Sequence, residues 1–139
     1  MSNVLQIQKM VFNILKTNNF LTNRGVSINN YMAFDLKVKY PFVRVSYINK
    51  VVDDSFSEQI EIVVSVLSDA KTSSDIISIV EAIESDFKNA NLLSRQHLND
   101  PLLGLSVVSQ IKNYRITQTE IFQDSDLIFN ANITINFSL

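Results

Sequence analysis

The chain has 139 residues, a net charge of −2, no cysteine and one histidine. Its length suits one domain with a core of its own, and 46% hydrophobic against 19% charged residues marks a globular chain, not a disordered one. The missing cysteines exclude disulfides and thiolate metal sites, and a pI near 5.3 argues against direct, sequence-specific binding of nucleic acid through massed basic charge.

The opening stretch, Met1-Ser2-Asn3-Val4-Leu5-Gln6-Ile7-Gln8-Lys9, lacks the basic and then apolar blocks of a secretory leader. No apolar run reaches the ~18 residues that a membrane span requires. The expected setting is therefore cytoplasmic, with no membrane partner. Val4, Ile7, Val11, Ile14 and Leu15 recur at helical spacing with Gln6, Gln8, Lys9 and Asn13 between them, which predicts a helix over residues 3–17 with one apolar stripe. Asn18-Asn19 is its expected stop.

Gly25 marks a turn, residues 26–28 fit a short strand, and Asn29-Asn30 suggests another turn. Residues up to Lys39 read as a loop or irregular edge strand. Pro41 has no N–H for a ladder bond, so it belongs at a strand start or edge. From there Val43, Val45 and Tyr47 point to one face and Phe42, Arg44 and Ser46 to the other. Residues 51–55 form the expected connection, with Asp53-Asp54 at a polar hairpin tip. Ile60, Ile62, Val64 and Val66 alternate in the next strand. Matching the two apolar faces sets the expected register at Val45 opposite Ile60 and Val43 opposite Ile62, with an Arg44–Glu61 pair on the other face.

Thr72, Ser73 and Ser74 offer capping hydroxyls and Asp75 suits a positive helix end. Ile76, Ile77, Val80, Ile83 and Phe87 then predict a second amphipathic helix, with Glu81, Glu84 and Asp86 turned away. Residues 92–104 read as a loop. A long strand is expected over 105–122, a turn over 123–126, and a final strand in which Leu127, Phe129, Ala131, Ile133, Ile135 and Phe137 alternate with polar residues. Such alternation fits an antiparallel sheet with one wet face. The expected class is α+β: an antiparallel sheet of two hairpins with an N-terminal and a central helix packed on it, in a single domain over 1–139.

Catalytic signatures are absent from the pattern. His97 stands alone with Asp100 as its nearby carboxylate, too little for a zinc site. No nucleophile-elbow glycines accompany it, and two glycines leave little scope for a phosphate cradle. The expectation is a protein without enzymatic activity, cofactor or metal. Phe12, Phe87, Phe129 and Phe137 fall at core positions. Phe20, Phe34, Phe42 and Phe56 are less easily placed by the pattern, and Phe42 and Phe56 flank the first hairpin, as a protein contact or under the N-terminal helix.

Charge is segregated along the chain. Arg24, Lys37, Lys39, Arg44 and Lys50 stand against Asp35 over residues 24–50, and nine carboxylates from Asp53 to Asp86 stand against Lys71 over 51–86. The two stretches face one another across a subunit boundary, or they are solvated faces paired in part within one subunit.

The succession of residues 4–15, Tyr40-Pro41-Phe42-Val43-Arg44-Val45, and residues 58–67, 73–87 and 107–137 resembles the tail-completion, or tail-terminator-like, proteins of long-tailed bacteriophages and gene transfer agents. The likeness covers nearly the whole chain and rests on length and layout more than on invariant residues. The stretch from Gly25 to Pro41 is longer than the family pattern, and the final turn lacks its usual glycine. The resemblance implies a homo-hexameric ring that caps the tail tube, ends its polymerisation and joins it to the head–neck connector. It implies a host-cytoplasmic protein during assembly and a tail or neck component of the particle afterwards. The family supplies no catalytic residues. The interface candidates are Arg24, Arg44, Lys50, Asp53, Asp54 and Phe56. Two alternatives stand beside this reading: a head–tail connector or minor tail protein, and an α+β adaptor that binds a protein at a sheet edge.

Overall fold

The structure is a computed structural model that describes residues 3–30, 39–52, 58–69, 71–95, 98, 104–125 and 127–139. Its elements, in chain order, are α1 (Asn3–Lys16), α2 (Asn19–Asn23), β1 (Ser27–Asn30), β2 (Phe42–Val52), β3 (Glu58–Asp69), α3 (Ile76–Phe87), β4 (Asn113–Ser125) and β5 (Ile128–Ser138). The strands form one sheet in the order β1-β2-β3-β5-β4. β2–β3 and β4–β5 are the two expected hairpins, and β3–β5 joins them antiparallel. A fifth strand, β1, adds parallel to β2 through Ser27 to Asn30, where a turn at Asn29-Asn30 was expected. The class is α+β, as the pattern predicts.

Period-two burial explains the layering. Ile60, Ile62, Val64 and Val66 on β3, Val43 and Val45 on β2, and Ala131, Ile133, Ile135 and Phe137 on β5 are all fully buried. They share one face, and the helices cover it. α1 lies over the β1–β2–β3 half and α3 over the β3–β5–β4 half. α1 buries Ile7, Met10, Val11, Ile14 and Leu15, as its stripe predicts. It also buries Gln6 and Gln8, which the pattern placed among the polar residues. Both glutamines find partners, as burial demands. Gln6 Oε1 accepts from the Val107 N–H at 3.0 Å and the Ser106 hydroxyl at 3.2 Å, and Gln8 Nε2 donates to the Val45 carbonyl at 3.3 Å.

Several local expectations are corrected. The β2–β3 register sets Val45 opposite Val64, Val43 opposite Val66 and Arg44 opposite Ser65, so Arg44 and Glu61 do not pair. Parity was right, but β2 runs on to Val52 before the hairpin turns, and the longer arm moves the partner further along β3. α1 does stop before Asn18, as expected, and Asn18 then caps a short α2 that the pattern did not predict: its Oδ1 accepts from the Leu21 N–H at 3.2 Å. Asp75 occupies the cap of α3 without a side-chain cap bond, and the Thr72 hydroxyl turns back to Asp69 Oδ1 at 2.9 Å. In α3 the buried stripe is Ile76, Ile79, Val80, Ile83 and Phe87, whereas Ile77 is 57% exposed. Residues 105–112 are not strand: a 3-10 turn, Ser106–Gln110, seats Val107 and Val108 in the core, and β4 starts at Asn113. β4 also runs on to Ser125, through positions assigned to a turn.

Two measurements check this packing. Chemical denaturation of Ile79→Ala is expected to show a loss of about 2–5 kcal/mol against about 0.5 kcal/mol or less for Ile77→Ala. Gln6→Ala strips the buried Val107 N–H of its acceptor and is expected to cost about 1–3 kcal/mol in the same assay.

Candidate interaction surface

The side of the sheet turned away from the helices carries the polar half of each alternation. Ser65 lies between Arg44 of β2 and Asn132 of β5, and Val63 between Ser46 and Thr134. The Ser65 hydroxyl donates to Asn132 Oδ1 at 2.8 Å, and Asn136 Nδ2 donates to Gln59 Oε1 at 3.2 Å. Asn130 and Asn136 each keep a buried Oδ1 without a partner among the described residues. Buried acceptors without a partner cost free energy. Phe42 belongs to this side by alternation, yet it is 7% exposed, with Tyr40 at a ring distance of 5.4 Å. An exposed aromatic contact at Phe42 is thus not what the structure holds.

The sequence-predicted interface residues do not gather into one patch. Arg24 sits among the helices. Its guanidinium lies 4.2 Å over the Phe20 ring and its Nη1 is 3.4 Å from Asp75 Oδ1. It therefore links the basic stretch to the acidic one within a single chain, which is the intramolecular half of the charge expectation. Both partners are more than two-fifths exposed, so the pair is worth roughly 0.2–1 kcal/mol. Arg44 is exposed on the opposite, polar side. Lys50 lies in β2 with its backbone opposite Ile60. Asp53, Asp54, Phe56, Phe34 and His97 lie outside the described residues.

Sequence reading missed a polar junction at the far end of α3. Asp86, placed on the solvated side of the helix by periodicity, has a side chain only 13% exposed. It accepts from Asn18 Nδ2 at 2.6 Å and from Arg95 Nη2 at 2.8 Å. One carboxylate thus ties the α1–α2 junction to the turn after α3. The Tyr114 hydroxyl donates to the Asn89 carbonyl at 2.6 Å nearby. Burial pushes the Tyr114 phenol above its ordinary 10.0, with the Arg95 charge pulling it back. An acid with an amide 68 positions and an arginine 9 positions away leaves no periodic trace, so no one-dimensional signal pointed here. The open cleft beside the junction, about 460 Å³, is lined by Thr17, Asn18, Asn19, Phe20, Asp86 and Arg95, and Asp86 there is already engaged by Asn18 and Arg95.

Exposure in the β4–β5 hairpin falls on β4, since no residue of β5 is fully exposed. Among the described residues β4 pairs with β5 alone, and positions 117–123 are exposed without a break. Among the described residues, three of the five large exposed apolar side chains, Ile121, Phe122 and Leu127, lie toward the hairpin's turn. No group of three or more metal-binding side chains occurs among the described residues, and no helix there is long and apolar enough to cross a membrane.

No protein-family model matches the chain, and no curated protein matches its sequence.

Asp86→Ala leaves Arg95 and Asn18 without their shared acceptor, and a loss of about 1.5–3 kcal/mol is expected in urea denaturation, against about 1 kcal/mol or less for Arg24→Ala.

Proposed function

We propose that this chain is a structural component of a phage-like tail, a ring subunit that caps the tail tube, ends its growth and presents a surface to the head–neck connector. The observation that carries this reading is the architecture in its order. A leading helix, a strand pair, a second helix and a long final hairpin build one sheet with both helices on one side. That is the layout on which the resemblance rests. It leaves a polar sheet face, with Arg44 on it, and a long exposed edge on the outside. Surfaces of this kind act by shape. In such a role no bond is made or broken, and the protein works in the host cytoplasm during assembly and then in the particle.

In the ring, each subunit meets the next through two different surfaces, a heterologous contact that closes by rotation. Arg44 and Lys50 on β2, with Asp53, Asp54 and Phe56 beyond it, are the proposed ring contacts. Arg24 contributes less, because Asp75 already engages it. The partners are further copies of the chain, the tube protein and the connector. A second reading, an adaptor that takes up a partner strand, is favoured by the exposed edge of β4.

Electron microscopy of particles made with and without the protein separates the two. Tubes well beyond normal length in its absence are expected of a terminator. Tubes of unchanged length overturn that role.

A further inference from the structure

We propose that the outer edge of β4 pairs with the same edge of a second copy of this chain, antiparallel and about a two-fold axis, with Arg115 of each copy opposite the partner's Glu120. An open strand edge is a liability. A strand of 13 residues with one edge unpaired among the described residues invites addition of another strand, and most proteins blunt such an edge. β4 carries a register shift between Ile116 and Gln118. An irregularity of this kind usually discourages pairing. Here it also sets a condition that a second copy meets.

Before the shift, odd-numbered residues lie on the polar face: Asn113 pairs with Ser138 and Arg115 with Asn136. After it, even-numbered residues do: Gln118 pairs with Thr134, Glu120 with Asn132 and Phe122 with Asn130. The opposite residues, Tyr114, Ile116, Thr119 and Ile121, face the helices. Two-fold antiparallel pairing across the shift sets the first half of one strand against the second half of the other. Faces match only if an odd-numbered residue before the shift meets an even-numbered one after it. An unbroken strand, which keeps one parity per face, would match faces only between residues of like parity, so the shift changes which registers are allowed.

Charge then chooses among the registers left. Arg115 falls opposite Gln118, Glu120 or Phe122 of the second copy. Only the middle choice gives an opposite-charge pair, and symmetry supplies it twice. The same register lays the partner's Tyr114 beside Ile121, which is 49% exposed, on the helix side. Arg115 has no ion pair among the described residues. Glu120 is held on the polar face by the Gln118 amide, in place to receive it. A foreign strand has to bring a matching cation and anion at the matching spacing, whereas a second copy brings both by symmetry.

This contact stands apart from the ring reading. It uses the sheet edge opposite β1, and a two-fold contact pairs copies without generating a ring. The test is native mass spectrometry and sedimentation equilibrium at low salt on the full chain, with Arg115→Glu, Glu120→Arg and the double exchange R115E/E120R. All these side chains are exposed, and circular dichroism confirms folding. Dimers are expected for the unaltered chain, with dimerisation roughly tenfold weaker in each single variant, weaker again in high salt, and restored in the double exchange. A monomeric unaltered chain overturns the proposal. So does an assembly indifferent to both reversals, or a double variant no better than the singles. A ring that persists in all three variants sinks this contact and leaves the ring standing.

Discussion

Everything in this fold depends on one dry face of one sheet. β3 and β5, in the middle, each give it a row of fully buried aliphatic or aromatic side chains, and neither row is shielded until a helix lies on it. The area is too wide for one helix, so α1 and α3 divide it. The rest follows from that division. α1 needs contacts beyond aliphatic packing at its margins, and Gln6 and Gln8 supply them by bonding to the backbone of the turn before β4 and of β2. The seam between the helical layers is pinned by Asp86, which holds Asn18 on one side and Arg95 on the other.

The polar face has a different logic. Its residues are mostly short and uncharged, and they bond laterally from strand to strand, as Ser65 does with Asn132 and Asn136 with Gln59. Lateral pairing of this kind keeps polar side chains close to the sheet surface. A face of that texture is easier to lay against another protein than one studded with lysines, because few charges have to leave water. The proposed role, in which shape alone terminates a tube, draws on this property.

Periodicity made much of the fold legible. The spacing of Val4, Ile7, Val11, Ile14 and Leu15 gave α1 to within a residue, and the alternation from Phe129 to Phe137 gave β5 and its buried side. What periodicity leaves open is phase. Parity set Val45 on the correct face but could not say which residue of β3 it meets, since a shift by any even number preserves the pattern; the length of β2 decided that. Ile77 and Ile79 are equally apolar, and the angle at which α3 meets the sheet decided between them. Val107 and Val108 fall within the strand expected over 105–122, yet the chain makes a 3-10 turn there before β4 begins at Asn113. Of the candidate surface, the exposed hairpin was visible as strands but not as an edge. Strand order is a three-dimensional fact, and Asp86 owes its burial to neighbours distant in sequence.

The strand order also bears on how the molecule comes together. β5 follows β4 in the chain, yet it lies between β4 and β3, and its ladder with β3 joins positions near 60 to positions near 130. Each hairpin can zip up locally. Their union cannot, because it closes a long loop that holds α3, and loop closure costs entropy before the ladder returns anything. On this topology the β3–β5 junction is expected to form late and cooperatively in assembling the monomer. Until it forms, each half of the dry face has only half of its partners.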